Sequence, residues 1–387
     1  MNLRAIKHNP FTNINFILGF YLFISTSASI HKFLTHKLAN YMTFSTSFWN
    51  MFRGINPYYQ VLEYKYSPAF CLLMGPMAVL PDWLGAIIWN GINTLILYIG
   101  ITKLKVENSK KVFILWFIIF EYLTSIQNLQ SNVLVTGLIL LAFSFFENKK
   151  TFWASLVVVL LFFIKIFGAG IGLIFLFYPK KTRFILYSVL WTLVLVFVPL
   201  IVVPWDFFLT LYKSWWSVMS TDFSASMGVS LMTIFNMLVN IPKIYIQVAG
   251  LVFLLTPIII ELIRSSKPGE FLKSGKFSNY TYRLLFVSSI LIWMIIFNHK
   301  AESPTYIIAV TGVAIWYVLL NSDRCIRSLD KIFMILVFVF TTLSPTELFP
   351  KIIFRFVDYN IVKALPCILV WIKIQYDLYF RKTIIQD

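Results

Sequence analysis

Apolar runs follow one another along the whole chain, at about 14–30, 68–81, 83–102, 112–127, 132–146, 152–178, 184–204, 244–264, 284–297, 305–320, 332–345 and 361–374. Several fall short of the roughly 20 residues that a straight spanning helix needs. Such short runs predict broken, paired or re-entrant helices packed inside protein, where their backbone polar groups can be satisfied. The expected fold is an all-α polytopic membrane protein, a bundle of about 10–13 transmembrane helices. No internal repeat or low-complexity linker interrupts it, so residues 1–387 read as a single polytopic membrane domain.

Composition agrees: hydrophobic residues make up 59% of the chain and charged residues 13%, well below the ~25% of an ordinary soluble domain. The net charge of +17 would suit a nucleic-acid binder if it were clustered. It is spread instead over short connectors. The first thirteen residues and the stretches 103–111, 147–151, 179–183, 264–283, 321–331 and 373–387 hold 22 of the 33 Lys and Arg. By the positive-inside rule these face the cytoplasm, which predicts a multi-pass protein of the cell (inner) membrane with both termini cytoplasmic and no nucleic-acid partner. The external segments are then about 31–66, 205–243, 298–304 and 346–360, with "IQNLQSN" (Ile126 to Asn132) and Lys165 at the turns of helix pairs. One conflict arises: two full crossings between Pro68 and Ile101 would put Lys103, Lys105, Lys110 and Lys111 outside. "GPMAVLPDW", with Pro76 and Pro81, is where a partial span would relieve it. The small residues "STSAS" after the first run fit a signal-peptidase site, but an uncleaved first helix is the expectation in so polytopic a chain. Cys71 and Cys367 lie in apolar runs and Cys325 in a basic connector, with no disulfide or metal spacing.

The longest basic connector, Arg264 to Arg283, carries neither GxGxxG nor a Walker A sequence. A pump or transferase fuelled by a soluble nucleotide lacks its phosphate-cradling domain here, so an activated substrate has to arrive in the lipid or from outside. The outer segments are rich in aromatics, among them Trp49, Tyr58, Tyr59, Tyr64, Tyr66, Trp205, Trp215 and Trp216. These fit two readings, an interfacial belt and the lining of a cleft at the membrane surface. Lys165 interrupts "VVVLLFFIKIFGAGIGLIF", and an ionisable group in such a run is a functional hypothesis by default, set against a snorkelling lysine at a turn. Glu121, in "FIIFEYLTSIQ", predicts an ion pair or hydrogen bond within the bundle. "HKAESP" places His299, Lys300 and Glu302 in one short outward turn.

The stretch "RGINPYYQVLEYKYSPAF", Arg53 to Phe70, carries a more specific signal. Its GxNPY (Gly54, Asn56, Pro57, Tyr58) followed by "YKYSP" (Tyr64 to Pro68) resembles glycosyltransferase family 87. "PMAVLPDWLGAIIWNGIN", "NLQSNVLVTGLILLAF", the lone Lys165 and "HKAESPTY" follow in the same order, so the likeness spans roughly residues 14 to 320. The resemblance implies a GT-C-like bundle with a long first external loop. It also implies transfer of a hexose, with mannose the first candidate, from a polyprenyl-phosphate sugar donor to the hydroxyl of a glycan or glycolipid acceptor at the outer face, with inversion. Such a donor keeps its isoprenoid among membrane lipids and needs no nucleotide domain. The resemblance further implies an acidic base shortly after the first helix. Here Asn40 stands at about that place, and no acid occurs from Ile30 to Gln60.

The base then has to come from another outward acid. Glu302 and Glu63 are the catalytic candidates; Asp206, Glu347 and Asp358 read as surface charges, and Asp222 as a helix cap or an acceptor contact. Candidates for the donor phosphate are Arg53, Lys65, Lys165, His299 and Lys300, since charge-assisted contacts to phosphate are strong. Asn56, Tyr58, Tyr66, Gln130 and Asn132 complete the expected substrate-binding set. His8, His31, His36 and His299 form no ligand cluster, so no cofactor is expected; a divalent metal on the donor phosphate occurs in GT-C chemistry, and no ligand set in the sequence supports one. Two readings stay open: a glycosyltransferase, and a non-catalytic lipid-linked-sugar transporter or binding protein on the same scaffold.

Overall fold

Asn13 opens the first helix. In the computed structural model, which describes residues 10–60, 64–224, 228–239, 241–264, 275–322, 327–355 and 357–380, its side-chain oxygen accepts from the N–H groups of Asn15 (2.9 Å) and Phe16 (3.4 Å). That satisfies donors which a helix start leaves open. Helix α1 (Ile14–Leu34) runs 21 residues, about 31 Å at 1.5 Å per residue, enough for a hydrocarbon core. Beside its start, Trp116 donates to the Phe11 carbonyl (2.9 Å) and Tyr98 to Asn15 (3.3 Å). Towards its finish, Asn90 donates to Ser29 (2.9 Å). These are the basic end and the site end of the bundle.

Helix α2 (Ala39–Phe52) and the single turn α3 (Pro57–Gln60) stay at the site end, and so does α4 (Pro68–Ala78). Ser67 caps α4 by accepting from Phe70 N–H (3.2 Å), with Pro68 in the first turn. Its 11 residues span about 16 Å, half of what a crossing needs. Tyr66, just before it, bonds Ser131 (3.2 Å), and its last carbonyls, of Met77 and Ala78, accept from Tyr41 and Trp49 of α2 (3.0 Å each). Helix α5 (Asp82–Thr102) then crosses once, to a final carbonyl that accepts from Lys111 (2.9 Å). The conflict over residues 67–111 disappears. Lys103, Lys105, Lys110 and Lys111 lie at the end where α1 begins, because α4 is a re-entrant helix and not a span.

Helices α6 (Asn108–Phe117) and α7 (Ile119–Gln127) form one pass broken at Ile118, and α8 (Asn132–Glu147) returns to the basic end. Helix α9 (Thr151–Ile164) rises to Lys165, and a 3-10 stretch, Ile166–Phe177, descends again. Helix α10 (Lys181–Phe197) packs on the outside of α9 with most of its surface uncovered. At the site end, α11 (Trp205–Ser224) and α12 (Leu231–Leu238) precede α13 (Lys243–Arg264). Helices α14 (Tyr280–Ile296), α15 (Tyr306–Ser322), α16 (Ser328–Leu336, continued by a π turn over Val337–Thr342) and α17 (Tyr359–Phe380) complete the alternation. Five segments among the described residues are long and apolar enough to cross a membrane alone, and further apolar helices are shorter. The protein is an all-α polytopic membrane protein, and no strand occurs among the described residues.

Close packing fixes the passes. Where α5 crosses α8, a Cβ on Gly137 would collide with the backbone of Ile96 and Leu97, so the two helices meet backbone to backbone. Asn93 adds an acceptor for Leu134 N–H (3.0 Å) across the same contact. Deeper in, Glu121 of α7 and Lys363 of α17 pair at 2.7 Å with both side chains fully buried. Lys363 also donates to the Thr341 carbonyl (2.8 Å) and lies 5.0 Å over the Tyr306 ring. The expected partner of Glu121 is thus a lysine 242 residues away.

Two outcomes follow from this arrangement. In a background without native cysteines, Thr35→Cys and Val79→Cys should react with a membrane-impermeant maleimide from one face, and Ser109→Cys from the other. Val79 labelling together with Ser109 would mean that α4 crosses. Lys363→Met should cost about 3–5 kcal/mol by leaving Glu121 buried and unpaired, while Glu121→Leu with Lys363→Met should recover most of that loss. Thermal unfolding in detergent reads both; a double variant as unstable as the single one contradicts the account.

Candidate active site

The turn "NLQSN" between α7 and α8 organises the site end. Leu129 takes the left-handed conformation (φ 53°), which costs a non-glycine residue about 1–2 kcal/mol. Its carbonyl accepts from Trp89 of α5 (2.9 Å), and the neighbouring Asn128 carbonyl accepts from the Asn40 amide (2.7 Å). Asn40 therefore acts as a donor, a role that an ionised Asp could not fill. The reversal presents Gln130, Ser131 and Asn132 in sequence.

These three make a polar chain across the molecule. The Gln130 amide donates to the Glu302 carboxylate (2.9 Å), and Asn132 donates to the Gln130 oxygen (2.5 Å). The Asn132 oxygen in turn accepts from the Lys165 ammonium (2.6 Å). An exposed carboxylate and a largely buried cation thus stand at opposite ends of two carboxamides. Glu302 is near enough to act electrostatically on both Lys165 and Tyr66. Lys165 lies 5.9 Å from the Tyr66 ring centre and 5.8 Å from that of Phe167, so its charge is met by π faces as well as by an amide oxygen. Burial holds the Tyr66 hydroxyl well above its ordinary range, its bond to Ser131 pulls the other way, and the Glu302 charge adds to the rise. Tyr66 is accordingly a neutral hydrogen-bonding group.

The backbone around Glu302 is pinned. Its N–H donates to Thr305 Oγ1 (3.0 Å), Pro304 follows in the first turn of a short 3-10 helix, and the Tyr359 hydroxyl of α17 donates to Ser303 Oγ (3.1 Å). The carbonyls of His299 and Ala301 accept from Gly228 and Val229 (2.6 Å each). Asn298 accepts from Lys300 N–H (3.0 Å). His299 and Lys300 therefore belong to the same turn as Glu302, half-buried beside it.

The two long segments expected to be outer, about 31–66 and 205–243, fold onto each other next to Lys165. Asn56 donates to Ser214 of α11 (2.8 Å), Ser214 reaches Tyr59 (3.3 Å), and Trp215 donates to the Lys65 carbonyl (3.2 Å) and stacks on Phe163. Tyr58 is buried and donates to the Tyr66 carbonyl (2.8 Å). Asn56 and Tyr58 thus hold the frame instead of reaching the polar chain. Lys65 is exposed, and Arg53 lies 5.6 Å from the Trp49 ring at the end of α2. Asp222 falls inside the last turn of α11 and so precedes no helix as a cap does; its side chain lies outside the described residues, as does Glu63.

The sequence reading missed Ser131, Asn128 and the donor role of Asn40. Ser131 sits between two named amides, and its partner Tyr66 is 65 residues away, a pairing that only the fold supplies. Among the described residues no three His, Cys, Asp or Glu side chains gather as a metal site would require. No curated protein and no solved structure matches the chain. A sequence model of glycosyltransferase family 87 matches residues 64–275. That stretch takes in Tyr66, Gln130, Asn132 and Lys165 and stops short of Glu302 and of "GINPY". With more than half of its 387 residues matched, in an all-helical membrane bundle, the chain belongs to glycosyltransferase family 87 and is a membrane glycosyltransferase.

Proposed function

We propose that the chain transfers a hexose, with mannose the first candidate, from a polyprenyl-phosphate donor to an acceptor hydroxyl of a glycan or glycolipid. The observation that carries this reading is the run from Glu302 through Gln130 and Asn132 to Lys165. A carboxylate able to take a proton and an ammonium able to hold a phosphate share one site beside aromatic rings at one end of the bundle. Among the described residues the basic stretches 103–111, 147–151 and 179–183 lie at the other end, and the positive-inside rule makes that end cytoplasmic. The site then faces outward from the cell membrane, with both termini inside.

In this reading the donor phosphate lies against Lys165, displacing or sharing the Asn132 oxygen, with Lys300 and His299 in the adjacent turn. Glu302 accepts the proton of the acceptor hydroxyl as its oxygen attacks the anomeric carbon. The bond from that carbon to the phosphate oxygen breaks with its electron pair, releasing polyprenyl phosphate, and attack from the opposite face inverts the configuration. Gln130 orients the carboxylate, and Asn132 links it to the cation that balances the leaving phosphate. Glu63 is the second acid to test. The use of the Asn40 side-chain amide as a donor to the Asn128 carbonyl favours one other reading, in which the scaffold binds a lipid-linked sugar without transferring it.

Purified protein supplied with radiolabelled polyprenyl-phosphate mannose and candidate acceptors separates these readings. Wild type should release polyprenyl phosphate and yield a labelled, inverted product. Glu302→Gln should lower kcat by about 10²- to 10⁴-fold with donor binding kept, and Lys165→Met should raise the donor KM about 10- to 100-fold. Binding without release across hexose donors supports the non-catalytic reading, and full turnover by Glu302→Gln, with loss in Glu63→Gln, moves the base to the first loop.

A further inference from the structure

At the basic end a pocket of about 220 Å³ opens between α8, the end of the 3-10 stretch and the start of α10, far more room than a single water needs. Its walls are Phe146, Phe175, Phe177 and Phe184, and its mouth carries Lys149, Lys180 and Lys181. The one carboxylate in the wall, Glu147, is already neutralised. Arg283 grips it with two bonds (2.6 and 2.8 Å), and the Tyr178 hydroxyl donates to it as well. The remaining charge of the mouth is positive. Lys180 and Lys181 also flank the N-terminus of the 17-residue α10, where the helix dipole and open N–H groups favour an anion.

Two further observations narrow the ligand. Phe184 lines this pocket and also a second, apolar groove with Ile185, Val189 and Leu193 along α10. Those side chains are exposed on a helix that is almost wholly uncovered by protein. A charged chamber thus continues into a hydrocarbon-facing groove. In addition, Lys149 occupies the left-handed C′ position after α8 (φ 58°). There its N–H bonds the Phe146 carbonyl and that of Lys150 bonds the Phe145 carbonyl. Glycine is the usual residue in this motif, so a lysine stands where backbone energetics disfavour it.

We infer that this is a binding site for an anionic phospholipid of the leaflet at the basic end, separate from the sugar-transfer site. The headgroup phosphate sits among Lys149, Lys180 and Lys181, and an acyl chain lies along the Phe184–Leu193 face of α10. Lysines near a membrane surface each strengthen binding of anionic lipid, and the aromatic walls offer apolar surface beside them. The site is built from residues that the transfer chemistry does not use.

Full-length protein in neutral detergent, titrated with dioleoylphosphatidylglycerol and, separately, dioleoylphosphatidylcholine, tests the inference by native mass spectrometry and thermal unfolding. Phosphatidylglycerol should give a discrete adduct and a rise in Tm of several degrees that phosphatidylcholine with the same tails does not match. The headgroup alone, as soluble glycerophosphoglycerol, should bind far more weakly. Lys180→Gln with Lys181→Gln should weaken the adduct about 25-fold, at about fivefold per lysine. Lys149→Gly should weaken it about fivefold while leaving the lipid-free Tm equal or higher, which separates binding from folding. Equal Tm shifts by both lipids, or an adduct unchanged in these variants, overturns the proposal.

Discussion

The hydrogen bond from Lys165 to the Asn132 oxygen, 2.6 Å long, holds the site end together. An ammonium at the tip of an apolar hairpin needs partners that replace water. It finds an amide oxygen and two aromatic faces, which ties the reversal after α9 to the first turn of α8. Because Asn132 spends its own N–H on Gln130, the orientation propagates to Glu302 in a turn 170 residues further along the chain. The site exists as a unit because each polar group in this line is another's partner. A half-satisfied version of it would be worse than an apolar one.

The same demand shapes the helices around it. Backbone groups at membrane depth have to be satisfied within the protein, and α4 meets this by packing against α2 and α5 and ending on the Tyr41 and Trp49 side chains. The short α4 returns the chain to the surface from which it set out, so α5 can carry the basic 103–111 stretch to the other end. Broken passes at Ile118 and Lys165 follow the same logic, since each break lies against other helices. The proposed transfer from a lipid-borne donor suits such a bundle, where the Glu302-to-Lys165 line lies at one end and much of the helical bulk is apolar.

The helical class, the positions of most passes and the pairing of Glu121 inside the bundle were legible in the sequence, because apolar runs and lone ionisable groups are local signals. So was the gathering of Gln130, Asn132, Lys165 and Glu302, through their shared place at predicted outward turns. The parity of the 67–111 region was not, since an 11-residue apolar run with an internal proline reads alike as half a span or a surface helix until its contacts are known. Asn56 and Tyr58 stood out by motif, but the bonds they make, to Ser214 and to the Tyr66 carbonyl, were not legible, because they depend on how two distant loops fold together. The partner of Glu121 and the donor role of Asn40 rest on similar long-range pairings.

The account is most exposed at the position of the donor phosphate. A structure of the protein with a non-transferable phosphonate analogue of polyprenyl-phosphate mannose tests it directly. The account predicts the phosphonate oxygens within about 2.7–3.2 Å of Lys165 Nζ, the isoprenoid leaving between helices toward lipid, and the anomeric carbon facing Glu302. A phosphonate bound away from Lys165, with the Lys165–Asn132–Gln130–Glu302 line unchanged, would contradict it.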